Sequence, residues 1–246
     1  MFSMLPPPQR IFIIAMLVAW LVLYIVGMIA GTPNEDRSRR FLRSAKIAMV
    51  IITVVLGIFW LVYTWADPST NRFAVWIMAG LAACGIADVV LADIFPIAEP
   101  LIPAMVLFGL GHIFYIVGLF NLRPILGATS TFLLAAVVVL SVIAGVLLWQ
   151  RTIYNPKGSQ RLNYGTLIYG IFLLVAAGMA VAIVIETGQL IILALGLLLF
   201  AGSDLMLARY LVRREQLVPY VRDVVWIIYS GGQVLIAFSI GAALLV

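Results

Sequence analysis

Charged residues, cysteine and histidine are all scarce in this sequence. Only 10% of its 246 residues are Asp, Glu, Lys or Arg, too few to cover the surface of a soluble domain of this size. The single cysteine, Cys84, excludes an intrachain disulfide and a cysteine-based zinc site, and the single histidine, His112, excludes a histidine-rich metal site. The sequence therefore predicts no metal site, and we expect no cofactor.

Apolar residues dominate instead, at 65% of the chain, with a mean hydropathy of +1.18. A membrane-spanning helix needs about 20 apolar residues, and eight stretches are long enough, separated by Pro, Gly or charged residues. These stretches are residues 11–30, 44–65, 73–92, 101–120, 126–149, 164–186, 189–209 and 223–245. The sequence thus predicts an all-α polytopic membrane protein, one transmembrane domain over residues 1–246, without a cleavable signal peptide.

The basic residues are distributed unevenly between the two sides of the predicted bundle. Arg10, Arg72 and Arg123 fall on one side, and twelve others fall on the side of loops 1–2, 3–4, 5–6 and 7–8. The twelve are Arg37, Arg39, Arg40, Arg43, Lys46, Arg151, Lys157, Arg161, Arg209, Arg213, Arg214 and Arg222. Because basic residues collect on the cytoplasmic side, we expect both termini outside, in the cell membrane. This orientation accounts for the net charge of +5, so we expect no nucleic-acid partner.

An acidic residue occurs twice in the same context, at Asp88 in the third span and Asp204 in the seventh. Aligning the two also aligns Gly80 with Gly196, and Leu91 and Ala92 with Leu207 and Ala208. Because the two spans are four apart, both copies run in the same direction. This predicts two parallel four-helix repeats, about 11–122 and 126–245. An acid costs roughly 2.5 to 3.5 kcal/mol at a bilayer centre, so each Asp is a functional candidate.

Other polar residues are predicted at the cytoplasmic half of the bundle. His112 and Tyr115 share one face of the fourth span, Tyr229 and Gln233 share one face of the eighth, and Lys46 begins the second. Each has a structural alternative: histidine and glutamine can join helices by hydrogen bonds, tyrosines can simply pack, and lysine can extend to the interface. The set, rather than any member, therefore predicts a site.

The acids at the helix ends are expected to be solvated rather than functional. They are Asp93, Glu99 and Asp223.

Two carboxyl groups in a water-accessible pocket can act as a general acid and a general base. One stays protonated and donates, while the other stays ionised and activates water. That division suits hydrolysis of an acid-labile C–O bond through an oxocarbenium-like state, as in glycoside hydrolysis. Below basic loops, an amphiphile could place its chain between helices and its phosphate against Lys46 or a loop arginine.

Five short segments resemble the YhhN-like, lysoplasmalogenase family of eight-span membrane proteins. They lie in order on the expected helices, from the second span to the C-terminus. The segments are Lys46, Gly85-Ile86-Ala87-Asp88-Val89-Val90-Leu91, Gly111-His112-Ile113-Phe114-Tyr115-Ile116, Phe200-Ala201-Gly202-Ser203-Asp204-Leu205 and Tyr229-Ser230-Gly231-Gly232-Gln233.

The resemblance implies hydrolysis of the vinyl ether bond of a lysoplasmalogen. The products would be a fatty aldehyde and glycerophospho-ethanolamine or -choline. The resemblance gives the catalytic roles to Asp88 and Asp204. Lys46 would bind phosphate, and His112, Tyr115, Tyr229 and Gln233 would position water or glycerol. The expected partners are thus a lysophospholipid substrate and membrane lipids.

One alternative is a proton-coupled transporter or lipid flippase that uses the two acids as its proton site. Transporters, too, carry paired acids and parallel repeats, although no span here is clearly broken by Gly or Pro at mid-depth. On the residues alone, either Asp can be the acid and the other the base.

Overall fold

The structure, a computed structural model, describes residues 5–92 and 97–244. Over these residues the chain forms eight long helices and no strand, which confirms the predicted all-α class. The helices are α1 (Pro7–Ile29), α2 (Arg43–Tyr63), α3 (Pro68–Leu91), α4 (Leu101–Leu122), α5 (Thr131–Leu148), α6 (Gln160–Thr187), α7 (Ile191–Ala208) and α8 (Val221–Ala243). Single π-helical turns, Trp149–Ile153 and Arg209–Arg213, prolong α5 and α7. All eight segments are long and apolar enough to cross a membrane.

The helix boundaries differ from the predicted spans where a polar cap decides them. The third span was expected from residue 73, but α3 begins at Pro68 because the Asp67 side chain accepts a hydrogen bond from the Ser69 N–H. The fifth was expected from residue 126, but α5 begins at Thr131, after a cap by Ser130. Residues 123–127 form turns instead. A hydropathy window cannot detect such caps.

Glycine pairs bring neighbouring helices into backbone contact. A Cβ atom on Gly80 of α3 would lie 2.9 Å from the carbonyl oxygen of Gly111 on α4. In the second half, a Cβ on Gly196 of α7 would lie 2.8 Å from the carbonyl oxygen of Gly232 on α8. Small residues at such crossings let helices approach closely.

The two halves pack in the same order. In the first half α1 contacts α2, α2 contacts α3 and α3 contacts α4, and α5 to α8 follow the same sequence. Between the halves, α2 and α3 contact α8, and α4 contacts α6. The α2–α8 and α4–α6 contacts are equivalent in the two halves, whereas the α3–α8 contact is more extensive than its counterpart between α4 and α7, and the internal repeat stays a prediction. Of the eight segments, α8 is the most buried, and α1 and α5 are the least buried.

Candidate functional site

A cavity of about 350 Å³ opens at the end of the bundle where α2 and α8 begin and α3 and α7 end. Its volume falls within the roughly 300–1,000 Å³ of small-molecule sites. Both predicted acids, Asp88 and Asp204, line it and are partly exposed. The cavity wall carries five basic side chains: Arg39, Arg43, Lys46, Arg214 and Arg222. The two acids therefore face a shared cavity whose surroundings suit an anionic group.

Asp88 is the end point of a chain of hydrogen bonds. The Tyr229 hydroxyl donates to Oδ2 of Asp88 at 2.7 Å. The Gln233 side-chain amide donates to the Tyr229 hydroxyl at 3.1 Å, and the Tyr115 hydroxyl donates to Oε1 of Gln233 at 3.2 Å. Every bond in this series points toward the carboxyl group. Tyr229 lines the cavity, whereas Tyr115 and Gln233 are buried behind it.

Asp204 has its own tyrosine, which the sequence analysis missed. Tyr169 of α6 donates a hydrogen bond from its hydroxyl to Oδ2 of Asp204. Ser203 donates to the Phe200 carbonyl at 2.7 Å and approaches Oδ1 of Asp204 at 3.4 Å. A signal for Tyr169 was present, because its depth in α6, nine residues after the first residue of that helix, is close to that of Tyr229 in α8, eight residues after the first. Each acid is thus held by one tyrosine from a neighbouring helix.

His112 packs against Tyr169, the tyrosine that donates to Asp204, but does not line the main cavity. Its Nδ1 is 2.7 Å from the carbonyl oxygen of Phe108, and because a carbonyl only accepts, Nδ1 carries the proton. The ring is fully buried, with its centroid 4.7 Å from that of Phe200 and 5.5 Å from that of Tyr169. Nε2 has no hydrogen-bond partner among the described residues. His112 therefore supports the rings around the acids.

The expectation that Asp223 is solvated is wrong. It is only 1% exposed, and its carboxylate accepts hydrogen bonds from the backbone N–H groups of Arg40, at 2.5 Å, and Phe41, at 3.1 Å. The loop before α2 folds over the start of α8 and covers it, which helix-end position alone does not reveal. Of the other two acids, Glu99 is exposed as expected, and Asp93 lies outside the described residues.

Asp223 also fixes the cavity lysine. The Lys46 Nζ atom lies 3.7 Å from Oδ1 of Asp223. It also lies 5.1 Å from the centre of the Trp226 ring and 5.5 Å from that of Phe41. The lysine side chain is 19% exposed and lines the cavity. Lys46 therefore remains available to an anion at the cavity, but it is positioned by a buried acid.

The loop between α1 and α2 is tied to the segment between α7 and α8. The backbone N–H of Tyr220 donates to the Arg37 carbonyl at 2.8 Å, and that of Arg222 donates to the Ser38 carbonyl at 2.9 Å. The Tyr210 hydroxyl donates to Asp36 at 2.9 Å. The hydrogen bond from the Ser38 N–H is the main cause that lowers the pKa of Asp36. These contacts hold the mouth of the cavity.

The structure thus brings the predicted residues together in two layers. Asp88, Asp204, Lys46 and Tyr229 line the cavity. The other three predicted residues, His112, Tyr115 and Gln233, are buried behind it. Within residues 5–92 and 97–244, no group of three His, Cys, Asp or Glu residues is placed to hold a metal ion. The arrangement can donate and accept protons beside a basic surface, and the individual roles stay predictions.

Comparison with known proteins gives one result. The sequence model of the YhhN family matches residues 45–240, most of the chain. The matched range contains every residue predicted for the site. Neither the curated proteins nor the solved structures contain a match.

Proposed function

The chain belongs to the YhhN family, and we propose that it is a membrane lipid hydrolase that cleaves the vinyl ether bond of a lysoplasmalogen or a related lyso-ether lipid. The products are a fatty aldehyde and a glycerophospho-ethanolamine or -choline. One observation carries the proposal: Asp88 and Asp204, from two different helices, line the same cavity among basic side chains.

The reaction needs two carboxyl groups in different protonation states. One Asp carboxyl gives its proton to the chain-side carbon of the vinyl C=C bond, which leaves an oxocarbenium ion at the carbon bonded to oxygen. The other Asp carboxylate takes a proton from water as the water oxygen bonds to that carbon. The hemiacetal then breaks its C–O bond: its hydroxyl proton returns to the first Asp, and the second Asp protonates the leaving glycerol oxygen.

The surroundings of the cavity support this chemistry. Lys46 and the arginines of the wall, among them Arg222, suit the phosphate of the head group. The tyrosines that donate to the two acids, Tyr229 and Tyr169, hold the carboxyl groups in place. We assign the positioning of water and glycerol to Tyr229 at the cavity, with Tyr115, Gln233 and His112 behind it.

The proposal is tested by aldehyde release from lysoplasmalogen with the purified protein in detergent micelles. Asp88→Asn and Asp204→Asn should each lower the rate by about 10²- to 10⁴-fold, the usual range for a general acid or base. Asp67→Asn is the matched control: this partly exposed residue caps α3 at the other end of the bundle, and asparagine caps helices equally well. Its rate should equal that of the unmodified protein.

Two results would contradict the hydrolase. One is the absence of aldehyde release from the unmodified protein, which is the expectation for a transporter in micelles. The other is near-normal release by either asparagine variant at unchanged thermal stability.

We also propose that the cavity opens to the cytoplasm and that both termini lie outside the cell membrane. Thr129 and Ser159 are exposed at opposite ends of the bundle, and Cys84 is buried. A membrane-impermeant maleimide added to intact cells should therefore label Thr129→Cys and leave Ser159→Cys unlabelled until the cells are opened. The reverse labelling pattern would overturn this orientation.

A further inference from the structure

A second cavity, of about 220 Å³, lies between α5, α6 and α7. Its wall is almost entirely apolar and includes Leu148, Leu173 and Leu205. Asp204 is the one carboxyl group in this wall, within the described residues. An apolar cavity that ends at a reactive acid has the form of a chain-binding subsite.

Asp204 is common to this apolar cavity and to the basic cavity described above. A smaller space of about 40 Å³ lies between them. It shares Phe108 and Leu207 with the basic cavity, and Tyr169 and Ala208 with the apolar one. Asp204 therefore sits where a basic compartment changes to an apolar one. An amphiphile has the same change at the bond between its head group and its chain.

Two glycines keep the apolar cavity open. Gly170 follows Tyr169 on α6, and Gly202 precedes Ser203 on α7, and both line the cavity. A Cβ atom built on either glycine meets no atom within 4 Å. At Gly80 and Gly196 a Cβ atom would collide with the neighbouring helix, whereas at Gly170 and Gly202 it would meet no protein atom. The space beside them is free for a ligand.

We propose that this apolar cavity binds the hydrocarbon chain of the lipid substrate and so sets the chain length that the protein accepts. The proposal rests on the proposed function, since it assigns the chain to one side of Asp204 and the head group to the other. Lipid tails are as apolar as the cavity wall, so leaving the bilayer gives the chain little hydrophobic gain. The cavity therefore acts by placing the vinyl ether bond beside Asp204 and by selecting the length of the hydrocarbon chain.

The test uses a lysophospholipid with a non-cleavable alkyl ether chain and a diazirine near the chain end, photolysed with the purified protein in micelles. Labelled residues are mapped by mass spectrometry. In the unmodified protein the label should fall on α5, α6 and α7. Gly170→Leu and Gly202→Leu should each lower that labelling by about tenfold or more, since filling an apolar pocket discriminates on this scale. The matched control is Gly231→Leu, which is also free of neighbours within 4 Å but does not line the cavity.

Because the probe is not cleaved, this result does not depend on hydrolysis. Labelling on other helices, or equal labelling in the two filled variants, would overturn the chain site even if the protein hydrolyses lysoplasmalogen. Conversely, the expected labelling without aldehyde release would support the chain site and contradict the hydrolase.

With an active protein, the filled variants should also turn over short alkenyl chains better than long ones, unlike Gly231→Leu. An unchanged chain-length profile would mean that the cavity holds a bilayer lipid instead.

Discussion

Removing the carboxylate of Asp223 should destabilise the mouth of the cavity more than any other change to a loop contact. Asp223→Ala leaves the buried N–H group of Phe41 and the partly buried N–H group of Arg40 without their acceptor. An unsatisfied buried donor costs about 1–3 kcal/mol. The substitution also removes the partner of Lys46 at 3.7 Å and an acid from the first turn of α8. We expect a total loss of about 3–5 kcal/mol in the free energy of unfolding.

Asp223→Asn separates the contribution of the backbone hydrogen bonds from that of the charged contact with Lys46. Both backbone N–H groups reach the same oxygen, Oδ2, at 2.5 Å from Arg40 and 3.1 Å from Phe41. An asparagine oxygen in that position keeps these bonds, and its amide then faces Lys46 in place of Oδ1. The stability loss should therefore be about 1–2 kcal/mol, because the charged contact with Lys46 and the longer, 3.2 Å bond from the Phe41 N–H to Oδ1 are lost while the two bonds to Oδ2 remain.

The assay is thermal unfolding of the purified protein in detergent, followed by tryptophan fluorescence. At about 2–4 °C per kcal/mol for a chain of this size, the alanine variant should unfold about 6 °C or more below the unmodified protein. Glu35→Ala is the control, because Glu35 is an exposed acid in the same loop, and its midpoint should barely move. Equal midpoints for Asp223→Ala and the unmodified protein would refute the reasoning.

Two further predictions concern the bundle around the acids. Tyr229→Phe removes the donor to Asp88 and the acceptor of the buried Gln233 amide. Because the lost bond to the carboxylate is worth about 1.5–3 kcal/mol, aldehyde release should fall at least tenfold. A rate equal to that of the unmodified protein would contradict this role of Tyr229. Gly232→Ala places a Cβ 2.7 Å from the Gly196 carbonyl oxygen and should lower the unfolding free energy by about 1–3 kcal/mol. Gly231→Ala, with no atom within 4 Å, should not lower the unfolding midpoint, and equal midpoints for these two variants would exclude the glycine crossing.

The sequence was sufficient for the spans and for the depth of the acids, because both depend on properties of single helices. Eight apolar segments identify the helices, and the shared position of Asp88 and Asp204 near helix ends places both at one end of the bundle. The sequence was not sufficient to identify Tyr169 and Asp223 as important residues, because their roles depend on contacts between segments that are far apart in the chain. Tyr169 reaches Asp204 across 35 residues, and Asp223 meets Phe41 across 182. Periodicity and hydropathy carry no information about such contacts.

The two sides of the cavity have different origins in the chain. The acids and their tyrosines fall within residues 45–240, the range that the YhhN family model matches. Arg39, Phe41 and Arg43, which line the mouth, precede that range. Asp223 joins the two parts, because it lies inside the range and binds the backbone before it.

If the proposed hydrolase is correct, the bond-breaking groups belong to the part matched to the family, and part of the head-group contact belongs to the segment before α2. Replacing that segment would then alter the preferred head group while leaving the two carboxyl groups and their tyrosines in place.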